Sequence, residues 1–404
     1  MQKIFFSSLL LILCFSCQSQ NKAPELVDFK TNYKFSTEIE RQLKTDSSQW
    51  KYQISAAAYA TKGDYQNALR HWDLAMGGRE MNYSDAEIDS INERYTKVSA
   101  RDVILKRASE EQILIINEAH HSSLHRFFTR SLLKELYDLG YRNLGLEALA
   151  NGAKTDSLLN ERKYPSQASG SYIIEPQFGN MVREALEIGY HVFPYEQTTG
   201  VNNSPREIEQ AKNLVEEIQK RPQEKFLIHC GFDHVFEGKH AWWEKAMAGR
   251  LTEYSGIDPF TIHQEFYSEK GDPTFNHPFL KAINPTESSV LLEEDNSPLQ
   301  YSRNEAYTDI SILHPTTNYV DGRPDWIFSE GNRKVEINLS EYNLSFPALV
   351  MAYKKGEDIQ IAVPVDIVEI TARDEKCFLG LPAGNYFIIV TNGKESYRKE
   401  KTVE

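Results

Sequence analysis

The chain has 404 residues, 40% of them hydrophobic and 11% aromatic, which is enough for two or three domains with sizeable cores and excludes a disordered protein. Its 45 basic and 58 acidic side chains give a net charge of −13, which disfavours nucleic acid as a partner.

Behind Lys3, the apolar run Ile4 to Leu13 is too short to span a bilayer and stands where a secretory h-region belongs. Ser16-Cys17 follows, and the chain then turns polar. This resembles a bacterial lipoprotein signal, with residues 1–16 removed and Cys17 lipidated. The expected location is the cell envelope, anchored by lipid on the periplasmic or extracellular side. Cys230 and Cys377 then remain in different domains, as two buried free thiols.

Residues 17–49 read as a polar tether with at most one short helix. In residues 50–96, Ala68, Trp72 and Ala75 recur at helical spacing after a stretch carrying Ala56, Ala57 and Tyr59. That pattern resembles a single tetratricopeptide-type (TPR-like) hairpin, which needs a neighbour to bury its face. From 97 to 325 short apolar runs alternate with amphipathic stretches. Such alternation predicts an α/β domain whose mostly parallel sheet is flanked by helices. The predicted strands are Gln112 to Asn117, Asn143 to Glu147, His191 to Glu196, Phe226 to Cys230, Phe260 to Gln264 and Asp309 to Leu313. A helical stripe runs from Leu124 to Leu139, and Ser204-Pro205-Arg206-Glu207 reads as a capping box. The segment from Asn151 to Gly170 reads as a surface insertion or lid. Residues 326–404 alternate with period two between Gly and Pro turns, which predicts a small antiparallel β-sandwich serving as a packing module.

Four of the predicted strands end in polar clusters: Glu118-Ala119-His120-His121, Glu147, Glu196, and His229 through His234. In a parallel sheet these ends share one rim, where ligands of open α/β sheets bind. Each residue alone has a plain structural explanation, such as a helix cap for Glu118 or a core position for His229. Their coincidence at four strand ends favours a site. One of the adjacent pair His120-His121 is expected to point away.

Ile116-Asn117-Glu118-Ala119-His120-His121, a helix with Phe127, Phe128 and Arg130, then Leu136, Gly140, Leu146 and Glu147, together resemble the erythromycin esterase, ChaN-like and Tiki superfamily over about residues 110–265. Arg206-Glu207, Gly231 with His234, and Met247-Ala248 follow in the family's order. The resemblance implies an ester hydrolase acting on a small-molecule substrate without a metal. His121 is then the general base, Glu118 and Glu147 orient it or the water, and His234 stabilises charge or protonates the leaving group. Glu196, Arg206 and His125 are the substrate-binding candidates. A free imidazole titrates near about 6.5, and a neighbouring carboxylate raises its basicity and fixes its tautomer. No cofactor is required by this reading. Two other branches stay open: haem binding through His120, His121 or His125 with Tyr172 or Tyr195, and a metal-dependent protease with His121 and His125 on one divalent ion. A structural lipoprotein without activity is the fourth reading.

Overall fold

All six predicted strands pair in one sheet in the computed structural model, which describes residues 23–404. They are β1 (Ile113–Glu118), β2 (Tyr141–Leu146), β3 (His191–Pro194), β4 (Lys225–Gly231), β5 (Phe260–His263) and β6 (Ile310–Ser311). The spatial order is β6-β5-β1-β4-β2-β3, and every neighbouring pair is parallel. Residues 1–16, expected as a signal segment, and Cys17 lie outside the described residues.

Strand alternation builds three layers. Leu114, Ile116, Leu144 and Leu227 face one way, against Leu132, Leu133 and Leu136 of helix α1 (Ser123–Asp138) and Phe178, Met181 and Ala185 of α2 (Pro176–Ile188). Ile113, Ile115, Phe226 and Ile228 face the other way, against Leu214 and Ile218 of α3 (Ser204–Lys220) and Met247 and Leu251 of α4 (Met247–Ser255). A central parallel strand covered on both faces must be apolar at every position, as β1 is until Asn117.

The predicted capping box at Ser204 is corrected. Asn203 holds the cap position with φ +57 and makes no side-chain cap bond. Glu207 is fully buried and turns inward to His234. A carboxylate three places into a helix caps it unless a buried partner claims it first.

The C-terminal region contains a five-stranded antiparallel sheet in the order Glu25–Leu26, Ser396–Val403, Gly384–Thr391, Ala348–Lys354, Asp366–Ile370. The ladder Arg333–Glu336 with Phe378–Leu381 shares its core of Val335, Leu379, Val350 and Ile388. Residues 23–49, expected as a tether with at most one short helix, contain the helix Ser36–Thr45 and are built into the fold. Phe29, Tyr33 and Phe35 are buried against Leu349, Met351 and Tyr353, so three aromatics bind an otherwise polar stretch to the sheet.

Helices Lys51–Thr61 and Tyr65–Met76 turn about Gly63, where a Cβ would meet Ile367 O at 2.1 Å. Buried Lys62 reaches Glu369 at 2.7 Å, tying this pair of helices to the C-terminal sheet. Cys230 and Cys377 are free and buried. Among the described residues no helix is long and apolar enough to cross a membrane.

In β5, Thr261 Oγ1 lies 2.8 Å from Glu237 Oε1 and 3.1 Å from Asp309 Oδ2, with a single hydroxyl hydrogen between the two acids. Burial, then Asp309 and Asp258, pushes the Glu237 carboxyl up to about 8, and burial raises Asp309 too. A raised carboxyl keeps its proton in the fold while the unfolded chain releases it. Its stabilisation is therefore complete below the ordinary glutamate range and is lost as pH rises through about 8, at no more than about 1.4 kcal/mol per pH unit. Glu237→Gln is expected to flatten this decline, so that the variant melts higher than the parent at pH 9 and close to it at pH 5. Parallel melting curves across that range would refute the reading that Glu237 keeps its proton in the fold.

Candidate active site

The C-terminal rim of the sheet opens into a cavity of about 640 Å³. Glu118, Glu147, Glu196, Arg206 and His234 all line it, joined by His120, His229 and Trp243. Asn151 and Lys154 of the predicted lid segment and Tyr172 just after it form a further wall. That segment is tied down along its length: Asn151 Nδ2 donates to Glu196 O at 2.7 Å, Asn160 Nδ2 donates to Val192 O at 2.7 Å, and Gln167 N donates to Ile361 O at 2.7 Å.

Glu118, the last residue of β1, is buried and accepts from four directions. Arg126 Nε and Nη2 fork onto its two oxygens, the second at 2.8 Å. His120 Nδ1 donates at 2.9 Å and His229 Nε2 at 3.1 Å. Burial alone would raise this carboxyl, but Arg126 and the two imidazoles hold it well below the usual range. An ionised Glu118 requires N–H on His120 Nδ1, so neutral His120 has a bare Nε2. Tyr172 stacks on the ring at 4.0 Å and Phe232 meets it edge-on at 4.9 Å.

His121 does not join this cluster, which corrects its assignment as the base. It stacks on Trp72 at 4.1 Å, and its Nδ1 is buried with no hydrogen-bond partner. Burial, with Lys270 and His120 adding, pushes it well below the ordinary imidazole value. His125 also leaves the site. Its Nδ1 accepts from Ala119 N at 3.0 Å and its Nε2 pairs with Ser268 Oγ at 2.7 Å, so it closes the turn between β1 and α1. Both histidines sit in the turn after β1, closed by Ser122 N donating to Ala119 O at 2.8 Å, and that turn brings His120 back onto Glu118 while His121 meets Trp72.

Across the cavity, Glu147 Oε2 accepts from Gly231 N at 2.6 Å and Oε1 accepts from Arg206 Nη2 at 2.6 Å. Arg206 also forks onto Glu196, with Nε at 3.0 Å. Burial opposes ionisation of Glu147, yet His234, Arg206 and His120 lower its pKa. His234 Nδ1 lies 2.7 Å from Glu207 Oε2, which also accepts from Met247 N at 2.9 Å. Burial would lower His234, but Glu147 and Glu207 outweigh it and its pKa is raised. Arg206 Nη1 stands 2.9 Å from His234 Nε2, a contact that requires Nε2 to be bare. Protonation of His234 must therefore release that Arg206 N–H and bring Nε2–H toward Glu147 Oε1, 3.5 Å away.

Two carboxylate-imidazole pairs, Glu118 with His120 and Glu207 with His234, thus face one cavity with an arginine between two acids. The sequence pattern did not single out Arg126, Glu207 as a partner of His234, Phe232 or Trp243. Phe232 has a signal that the sequence cannot carry, a strained φ of +43 at the cavity wall. Gly231 is required at its place: a Cβ there would lie 2.4 Å from His120 Cε1 and 2.8 Å from Nε2. Gly231→Ala is expected to leave the melting temperature nearly unchanged while displacing the His120 ring. The check is a crystal structure of the variant, and an unmoved ring bonded to Glu118 would overturn the expectation. Among the described residues, no group of three or more His, Cys, Asp or Glu is arranged to hold a metal ion.

No protein-family profile matches the chain, and no curated protein does. Among solved structures, the chain is similar to RRSP, a MARTX toxin effector domain from Vibrio vulnificus CMCP6, with 16% identity over 52% of this chain and 43% of that one, at a TM-score of 0.26. It is also similar to the type III effector HopBA1, with 11% identity over 55% of this chain and 96% of that one, at a TM-score of 0.33. A third, described as bacterial protein toxins, shows 16% identity over 51% and 46% of the two chains, at a TM-score of 0.28. The chain spans less than half the length of the first and third of these.

Proposed function

We propose that the protein is an exported, lipid-anchored hydrolase of the erythromycin esterase and ChaN-like type, which cleaves an ester or related bond with a water activated by His120. In this reading Cys17 carries the lipid, the helices Lys51–Thr61 and Tyr65–Met76 are a tetratricopeptide-type hairpin, and the C-terminal sheets form a sandwich that packs against the catalytic domain. The observation that carries the reaction is the Glu118-His120 pair. An ionised, fully buried carboxylate holds Nδ1–H, and Nε2 has no partner among the described residues.

His120 Nε2 takes a proton from water as the water oxygen bonds to the carbonyl carbon. The developing oxyanion is met by the Arg206 N–H that His234 gives up on protonation. Collapse breaks the bond to the leaving group, which takes its proton from His234 Nε2. The proton on His120 leaves to solvent and His234 takes one back from solvent, so both imidazoles return to their starting state.

Two alternatives carry their own requirements. Haem needs an axial nitrogen, which His120 Nε2 supplies, and apolar faces, whereas Glu118, Glu147, Glu196 and Arg206 make these walls charged. A metal held by His121 and His125 needs both rings to converge, whereas His121 stacks on Trp72 and both His125 nitrogens are engaged. The test is turnover of an acyl ester and amide panel by the full mature chain, with and without chelator, alongside a haem titration. Ester cleavage that survives chelation is expected. Cleavage abolished by chelation, or a stoichiometric Soret shift without cleavage, would overturn the proposal.

A further inference from the structure

Glu118 is bonded by two imidazoles as well as by Arg126. A buried carboxylate with only imidazoles for partners would draw a proton onto one of them, because a buried charge needs compensation. His120 would then be an imidazolium, with no lone pair for a water proton. Arg126 removes that need.

Its guanidinium is buried and uses four of its five N–H groups. Nε and Nη2 take the two Glu118 oxygens, Nη2 also donates to His120 O at 3.0 Å, and Nη1 reaches Glu175 Oε2 at 3.1 Å. The Phe178 ring lies 4.8 Å beneath the guanidinium. Glu175 is itself fixed as the cap of α2, accepting from Gln177 N at 3.0 Å and Phe178 N at 2.8 Å. Helix α2 is clamped in turn to the C-terminal sheet. Arg183 forks onto Glu357 at 2.6 and 2.8 Å and donates to Val363 O, and Asn180 donates to Val365 O. A rigid path therefore leads from the C-terminal region to the guanidinium behind the active-site pair.

We infer that Arg126 is a positioning residue: its charge, shared between Glu118 and Glu175, compensates Glu118 so that His120 stays neutral with its proton on Nδ1 and its Nε2 open to the cavity. The consequence for turnover rests on His120 being the base. The protonation state itself does not, and it is measurable without a substrate. The other charged or titratable groups around His120 are Glu147 and His229 across the rim, Tyr172 stacked on the ring, His121 next in the chain, and Lys154, Glu196, Arg206 and His234 lining the same cavity. None of these changes in the variants below.

The experiment is a nitrogen-15 NMR titration of the histidines in the full mature chain. Removing the positive charge in Arg126→Met is expected to move the His120 midpoint up by about one unit or more, the usual effect of a close opposite charge on a carboxylate site. Arg126→Lys keeps the charge and is expected to stay near the parent. Glu175→Gln removes the competing acid and should move the midpoint down. This variant carries the test if Arg126→Met fails to fold. An unshifted midpoint in both Arg126→Met and Glu175→Gln, or in Glu175→Gln alone when the other is unfolded, would reduce Arg126 to a packing residue. Shifted midpoints in a protein that cleaves no ester would leave this inference standing and remove the catalytic reading instead.

Discussion

His120→Ala is expected to lower turnover of any ester the protein cleaves by two to four orders of magnitude, the usual scale for a lost general base, with little change in melting temperature. The ring is held by one bond to Glu118 and by contacts with Tyr172 and Phe232 at the cavity wall, so its removal opens space that solvent can enter. His121→Ala should behave in the opposite way. That ring is buried against Trp72, and its loss removes an aromatic contact worth about 1 kcal/mol plus the area it covers. Turnover per folded molecule should fall far less. His125→Ala should likewise register as lost stability, because both of its nitrogens hold the turn after β1. Measuring kcat/KM and thermal melting on all three variants separates the roles. A loss in His121→Ala as large as in His120→Ala, at unchanged stability, would return the base to His121.

The rim was legible in the sequence because a parallel sheet gathers the ends of its strands. Once the six strands were recognised, Glu118, Glu147, Glu196 and His234 had to lie near one another, and all four line the cavity. Choosing within the pair His120-His121 needed the geometry of the turn after β1, which no periodicity specifies. The strand ends at Glu118, and the turn over Ala119 to Ser122 decides that His120 meets Glu118 and His121 meets Trp72. The four-residue spacing of His121 and His125 suggested a shared helical face, but His121 precedes the helix and obeys no such rule. Glu207 was misread for a different reason. Ser-Pro-x-Glu satisfies a local capping signal, and nothing nearby in sequence reveals His234, 27 residues on, as the stronger claimant. Arg126 and Glu175 were invisible for the same cause, since their meeting depends on how α1 and α2 cross. In residues 23–49 the polar composition hid three aromatics whose partner strands lie more than 300 residues away.

His234→Ala is expected to cost about a hundredfold or more in turnover, with a size that depends on the leaving group. An alkoxide needs a proton as its bond breaks, whereas a nitrophenolate leaves without one. If His234 is the acid, the loss should be large for simple alkyl esters and small for nitrophenyl esters. A residue that merely binds substrate would give similar losses on both. The pH profile supplies a second sign. A general acid works while protonated, so activity falls as pH rises through its pKa. Glu147 and Glu207 raise that pKa against the effect of burial. Glu207→Gln removes one of the two carboxylates, so the alkaline limb should move to lower pH. Met247 N and His234 Nδ1 can both still donate to the amide oxygen of glutamine, so the ring keeps its orientation and the change is one of charge. An alkaline limb that ignores this substitution, together with equal losses on alkyl and nitrophenyl esters in His234→Ala, would reassign the leaving-group proton to another donor and leave His234 as the partner that holds Arg206.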